Sequence, residues 1–133
     1  MSDREQQAWA GPISAITLVT DDLADSKAFY QRVFGFAVCY EDSESAVFRF
    51  GDTLVNLLAV SAAPELIQPA RVASAHAGSR VVFTLQVSDV DALCADLRER
   101  GVELLNGPTD RPWGPRTASF QDPSGHIWEI ATG

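Results

Sequence analysis

A short strand followed by a capped amphipathic helix that stops at a glycine occurs twice in this 133-residue chain. A repeat of that size restricts the fold more than composition can. The first copy is "ISAITLVTDDLADSKAFYQRVFGF", in which Asp22 is placed to cap a helix and Asp25 stands in the capping-box position. Leu23, Phe29, Tyr30, Val33 and Phe34 recur at helical spacing, and Gly35 is placed to end the helix. The second copy is "RVVFTLQVSDVDALCADLRERGVELL", with Ser88 or Asp89 as cap, Val90, Leu93, Cys94 and Leu97 on one helix face, and Gly101 at the end.

A hairpin-like pair of strands follows each copy. "AVFRF" turns at Gly51 and Asp52 into "LVNLLAV"; "RTASF" turns through Asp122, Pro123, Ser124 and Gly125 into "HIWEIA". The spacing predicts an α+β chain of two βαβββ modules, residues 12–60 and 79–131, forming one domain over 1–133. The linker, 61–78, is rich in proline and small residues, with one helical turn expected around Leu66 and Ile67 and an exposed His76. "NGPTDRPWGPR" reads as a stiff loop.

Eighteen acids against ten bases give a net charge of -8 with no basic cluster. Nucleic acid and anionic membrane are therefore poor partners, and a cationic or neutral small molecule is a better one. "MSDREQQAWA" reads as a frayed leader, and no apolar run is long enough to span a bilayer, so a cytoplasmic location is expected. Cys39 and Cys94 form no CxxC pair and are expected as buried free thiols.

The duplicated module, with "VTDDLADSKAFYQRVFGF", "VSDVDALCADLRERGV" and "DPSGHIWEI" in that order, resembles the vicinal oxygen chelate superfamily. That group includes glyoxalase I, extradiol dioxygenases, fosfomycin resistance enzymes and bleomycin-binding resistance proteins. The resemblance implies a cup-shaped, barrel-like sheet, often completed across a homodimer. It also implies a metal site in which one histidine opens the first strand of each module and an acid near the end of each module completes the set. Those positions hold Ala15 and Val82 in place of histidine, and Asn56 and Glu129 in place of the acids. One carboxylate and one amide are a poor donor set for a transition metal. His126, three residues before Glu129 along a strand, is expected to point to the opposite face unless a local bulge reverses it.

Alternation places Thr17 with Ala15 and Val19, Asn56 with Leu54 and Leu58, Gln86 with Val82 and Thr84, and Glu129 with Ile127 on the cup face. The opposite face, with Ile16, Leu18, Phe83, Leu85, Val87, Trp128 and Ile130, is the layer beneath the helices. Candidate ligand-binding residues are thus Thr17, Leu54, Asn56, Leu58, Thr84, Gln86 and Glu129, joined by Trp113 as a stacking platform and by Arg116. Arg116 could pair with Glu129, bind an acidic substrate group, or lie on the surface. The expectation is a homodimeric binding protein without metal or cofactor. Its ligand would be a hydrophobic or aromatic, cationic antibiotic or natural product, held by sequestration. The alternative is a metal-dependent or acid–base lyase, isomerase or dioxygenase of the same superfamily, and a carrier role in biosynthesis is a third reading.

Overall fold

The computed structural model describes residues 8–133, so the expected leader lies, as far as residue 7, outside the described residues. The first module runs β1 (Ala15–Thr20), α1 (Leu23–Phe34), β2 (Tyr40–Glu41), β3 (Ser45–Phe50) and β4 (Thr53–Ala59). A short helix, α2 (Ala63–Ile67), occupies the linker where a helical turn was expected. The second module repeats the order with β5 (Val82–Gln86), α3 (Val90–Glu99), β6 (Leu104–Asp110), β7 (Arg116–Gln121) and β8 (Ile127–Ala131).

The caps act as their chemistry dictates. Asp22 has extended backbone and its carboxylate accepts from the Asp25 N–H at 3.0 Å. Of the two candidates before α3, Asp89 is the cap, accepting from the Ala92 N–H at 3.0 Å. Gly35 ends α1 at φ 74°, a left-handed conformation that glycine enters without a Cβ clash.

Each module makes one four-stranded sheet, in the orders β1-β4-β3-β2 and β5-β8-β7-β6. The inner pairs β1/β4 and β5/β8 are parallel and the hairpins antiparallel. A parallel pair needs a long crossover, which the helix and the intervening strands supply.

The helix-side faces of both modules share one core. Tyr30, fully buried, stacks on Phe34 at 5.3 Å and Phe48 at 5.7 Å and meets Trp128 edge-on at 6.1 Å. Phe34 touches Phe50 from its own module and Phe120 from the other. Burial of each such ring stabilises by about 2 kcal/mol before conformational entropy is counted.

A buried polar seam joins the modules. The Tyr30 hydroxyl donates to Asp122 at 2.7 Å and accepts from the Trp128 indole N–H at 3.0 Å. Asp122 also accepts the backbone N–H groups of Ser124 and His126, at 2.9 and 3.0 Å, and its Oδ2 lies 2.8 Å from His126 Nδ1. Burial pushes the Asp122 carboxyl up, but His126, Tyr30 and the backbone donors together hold it below the usual carboxylate value. Burial first, and then the Asp122 charge, push the Tyr30 phenol well above its ordinary value. The Asp122–Gly125 turn is therefore also a clamp between modules.

Three features differ from expectation. The stretch through Gly107 and Pro108 is strand as far as Asp110, not loop. It is an edge strand with register shifts on both sides of Asn106, a place where a missing N–H is tolerated. Gly107 sits at φ 92° with the Thr117 carbonyl 2.5 Å from where a Cβ would stand, so a side chain does not fit. The two-residue β2 is too short to leave an alternation signal. Cys94 is buried, but Cys39 is exposed because it lies in the connection between α1 and β2 rather than in the core. Among the described residues no helix is long and apolar enough to cross a membrane.

Candidate functional site

Strand register lays matching transverse rows across the faces turned away from the core. In the first sheet Thr17 pairs with Asn56 and Asn56 with Val47. In the second, Thr84 pairs with Glu129, Glu129 with Ser119, and Ser119 with Asn106. Asn56 and Glu129 are therefore equivalent positions of the duplicated module. Their strand neighbours Val55, Leu57, Trp128 and Ile130 are buried in the core, so alternation turns both rows outward.

Thr84 and Glu129 of the second module's row line a groove of about 700 Å³ together with Gln86, Trp113 and Thr117. Glu129 is half-buried and accepts from the Thr84 hydroxyl at 2.8 Å. Among the described residues no Lys, Arg or His lies within 4.0 Å of its carboxylate. Trp113 is 72% exposed, with the Arg111 guanidinium 6.0 Å from its ring centre.

The first module's groove, about 380 Å³, holds Asn56 and Leu58 beneath a rim of Asp42, Glu44 and Glu65. The Glu44 backbone N–H and then the Ser45 hydroxyl hold the Asp42 carboxyl below its ordinary value. Asn56 Oδ1 is buried with no hydrogen-bond partner. An orphaned acceptor of this kind costs about 1–3 kcal/mol, recoverable when a donor arrives. Leu54, half-buried, lies on the same face of the strand beside Ala15.

Within one chain the two sets do not meet. Thr84, Gln86, Trp113 and Glu129 line one groove, Asn56 and Leu58 the other, and Thr17 borders a third cavity of about 350 Å³ shared with His126 and Arg80. His126 faces that third cavity, away from Glu129, as alternation requires.

Arg116 is on the helix side of β7. Its Nε and Nη2 donate to the two carboxylate oxygens of Asp91 at 2.8 and 2.9 Å, and its Nη1 donates to Asp110 at 3.0 Å. It is not brought to Glu129 or into the groove, because Thr117 and Ser119 are the β7 residues in register with Ala131 and Glu129. Sequence reasoning missed Thr117, which lines the groove, and its neighbours Ser119 and Asn106 in the Glu129 row and Arg111, which donates to Thr117 and Asn106. Thr117 and Ser119 alternate with Ala118 and Phe120, a signal that was present; Arg111, in a turn, left none.

The residues do not fit the metal that the resemblance implies. Ala15 stands beside Leu54 and Val82 beside Ile127, so the two histidine positions offer only hydrocarbon. Among the described residues no three His, Cys, Asp or Glu side chains gather as a metal-holding cluster. Glu129 with a neighbouring hydroxyl is too poor a donor set for a zinc-like ion.

The profile of the Glyoxalase/Bleomycin resistance protein/Dioxygenase superfamily matches residues 13–130. Uncharacterized protein YraH of Bacillus subtilis (strain 168) is 32% identical over 119 residues, covering 86% of this chain and 93% of its own. A metallothiol transferase FosB of Shouchella clausii is 26% identical over 122 residues, 91% of this chain and 80% of that protein. A glyoxalase/bleomycin resistance protein/dioxygenase crystal structure from Nocardioides superposes with a TM-score of 0.87 at 26% identity, covering 98% of this chain and 88% of the other.

Proposed function

The chain belongs to the glyoxalase/bleomycin resistance protein/dioxygenase superfamily, and from that premise we propose that it is a metal-free binding protein that sequesters an antibiotic or natural product in a cup completed by a second copy of itself. The observation that carries the reading is Glu129: a carboxylate in a groove, without a cationic partner among the described residues and without the histidines that would make it a metal ligand. A pocket of this kind uses an apolar wall for affinity and a few polar groups for orientation. Leu58 supplies apolar wall in the first groove and Ala131 in the second, where Trp113 is the stacking surface. Glu129 and the acidic rim of the first groove favour a cationic group on the ligand.

The second copy follows from the two open half-grooves. A two-fold pairing that sets the first module of one copy against the second module of the other faces Asn56 with the Glu129 row twice, giving two equal cups. The orphaned Asn56 oxygen then meets a donor from the ligand or from the partner.

A test combines assembly, binding and chemistry. Sedimentation equilibrium at micromolar concentration should give twice 14.4 kDa. A panel of aromatic cationic antibiotics, screened by tryptophan fluorescence with and without chelator, should yield a ligand whose binding ignores the chelator and which chromatography recovers unchanged. A chemically altered ligand would establish the enzyme reading instead, and chelator-sensitive binding would establish a metal site.

A further inference from the structure

The turn that carries Trp113 holds two arginines in opposite electrostatic situations. Arg116 is neutralised by Asp91 and Asp110. Arg111 has no carboxylate within 4.0 Å among the described residues. Its guanidinium is nonetheless fixed. Nε donates to Thr117 Oγ1 and Nη2 to Asn106 Oδ1, each at 2.8 Å, and both acceptors are neutral. The backbone is pinned as well, since the Arg111 N–H donates to the Pro115 carbonyl at 2.8 Å and the Gly114 N–H to the Arg111 carbonyl at 3.0 Å.

Nε–H and one Nη2–H form the side edge of a guanidinium, and here both are occupied. The end edge, formed by Nη1 and the second Nη2 hydrogen, has no partner among the described residues. That edge is the fork that matches the two oxygens of a carboxylate or similar oxyanion, and a fork already held in place loses little freedom on binding.

We infer that Arg111, held against Thr117 and 6.0 Å from the Trp113 ring at the border of the groove, is its anion-recognising residue and that the ligand carries a carboxylate-like oxyanion as well as its cationic group. The inference rests on the reading that the outward face of the second sheet binds the ligand. Thr117, which anchors Nε, lines the groove, and Asn106, which anchors Nη2, stands two strands from Glu129 in one transverse row. Thr117 is thus shared by the groove that holds the Glu129 carboxylate and by the arginine that carries the fork. An oxyanion at Arg111 and a cation at Glu129, with an aromatic body against Trp113, describe a zwitterion.

The probes are para-fluorophenylalanine, its amide, para-fluorophenethylamine and para-fluorophenylpropionate, titrated to millimolar concentration by fluorine NMR. The Trp113 indole N–H, assigned with Trp113→Phe, is followed on the protein side. The amino acid should bind about tenfold more tightly than its amide, the scale of a charge-assisted pair. Arg111→Gln should erase that ratio, so that the amino acid binds no more tightly than its amide. Arg111→Lys, which keeps the charge without the fork, should retain part of it, and the unfolding midpoint of each variant verifies that it is folded. Equal binding of acid and amide to the wild type, or no movement of the Trp113 signal with any probe, overturns the assignment of Arg111. Probe-induced shifts confined to residues outside the groove overturn the binding-cup reading too. If Arg111→Gln weakens self-association about tenfold, the fork belongs to a carboxylate of the second copy and the ligand assignment fails.

Discussion

Tyr30→Phe isolates the polar seam from the aromatic core. The variant keeps the ring, so its contacts with Phe34, Phe48 and Trp128 at 5.3, 5.7 and 6.1 Å are retained. Two hydrogen bonds are lost. One is the 2.7 Å donation to the Asp122 carboxylate, a charge-assisted bond contributing about 1.5–3 kcal/mol. The other leaves the buried Trp128 indole N–H without its acceptor, a cost of about 1–3 kcal/mol. Neighbouring terms do not add fully, and a loss of about 3 kcal/mol is expected. For a chain of this length that corresponds to a fall of about 10 °C in Tm. Urea unfolding followed by tryptophan fluorescence at fixed protein concentration measures the change. Because three aspartate donors survive, Tyr30→Phe and Asp122→Asn together should cost less than the sum of the two alone. A loss below about 1 kcal/mol, or strict additivity of the pair, would show that the seam is a passive contact and refute the reasoning.

Other outcomes follow from single contacts. The Asp122 carboxyl titrates below its unfolded value, so its stabilisation is present at neutral pH and is lost as pH falls through the folded pKa, below about pH 4; Asp122→Asn should flatten that acid limb in a series of urea melts. Gly107→Ala places a methyl 2.5 Å from the Thr117 carbonyl at φ 92°, and hydrogen exchange should show the β6/β7 pairing opening more readily than in the wild type. Trp113→Ala should weaken ligand binding by about 1–3 kcal/mol in calorimetry without lowering Tm, since the side chain is largely exposed. Glu129→Gln keeps the shape and the Thr84 contact while removing the charge, and should weaken cationic ligands more than neutral analogues.

These perturbations divide along the line between local and long-range information. Legible in the chain alone are the two modules, the cap at Asp22, a cap at Ser88 or Asp89, and the faces of β1, β4, β5 and β8. All of these rest on interactions within a few residues or on a fixed period. The face assignment also makes Asn56 and Glu129 equivalent, and the strand pairing agrees with it. The roles of Arg111, Arg116 and Asp122, and the choice of Asp89 over Ser88 as cap, depend on contacts that form on folding. Arg111 and Arg116 lie at a proline-rich turn, where no period reports direction, and the aspartates that capture Arg116 come from α3 and β6. Asp122 looked like turn chemistry because its seam partner Tyr30 is 92 residues away. The separation of Asn56 from the Glu129 groove is likewise a property of how the two sheets share one core. Side-chain period says which way a residue points, while the packing of one module on the other decides what it meets.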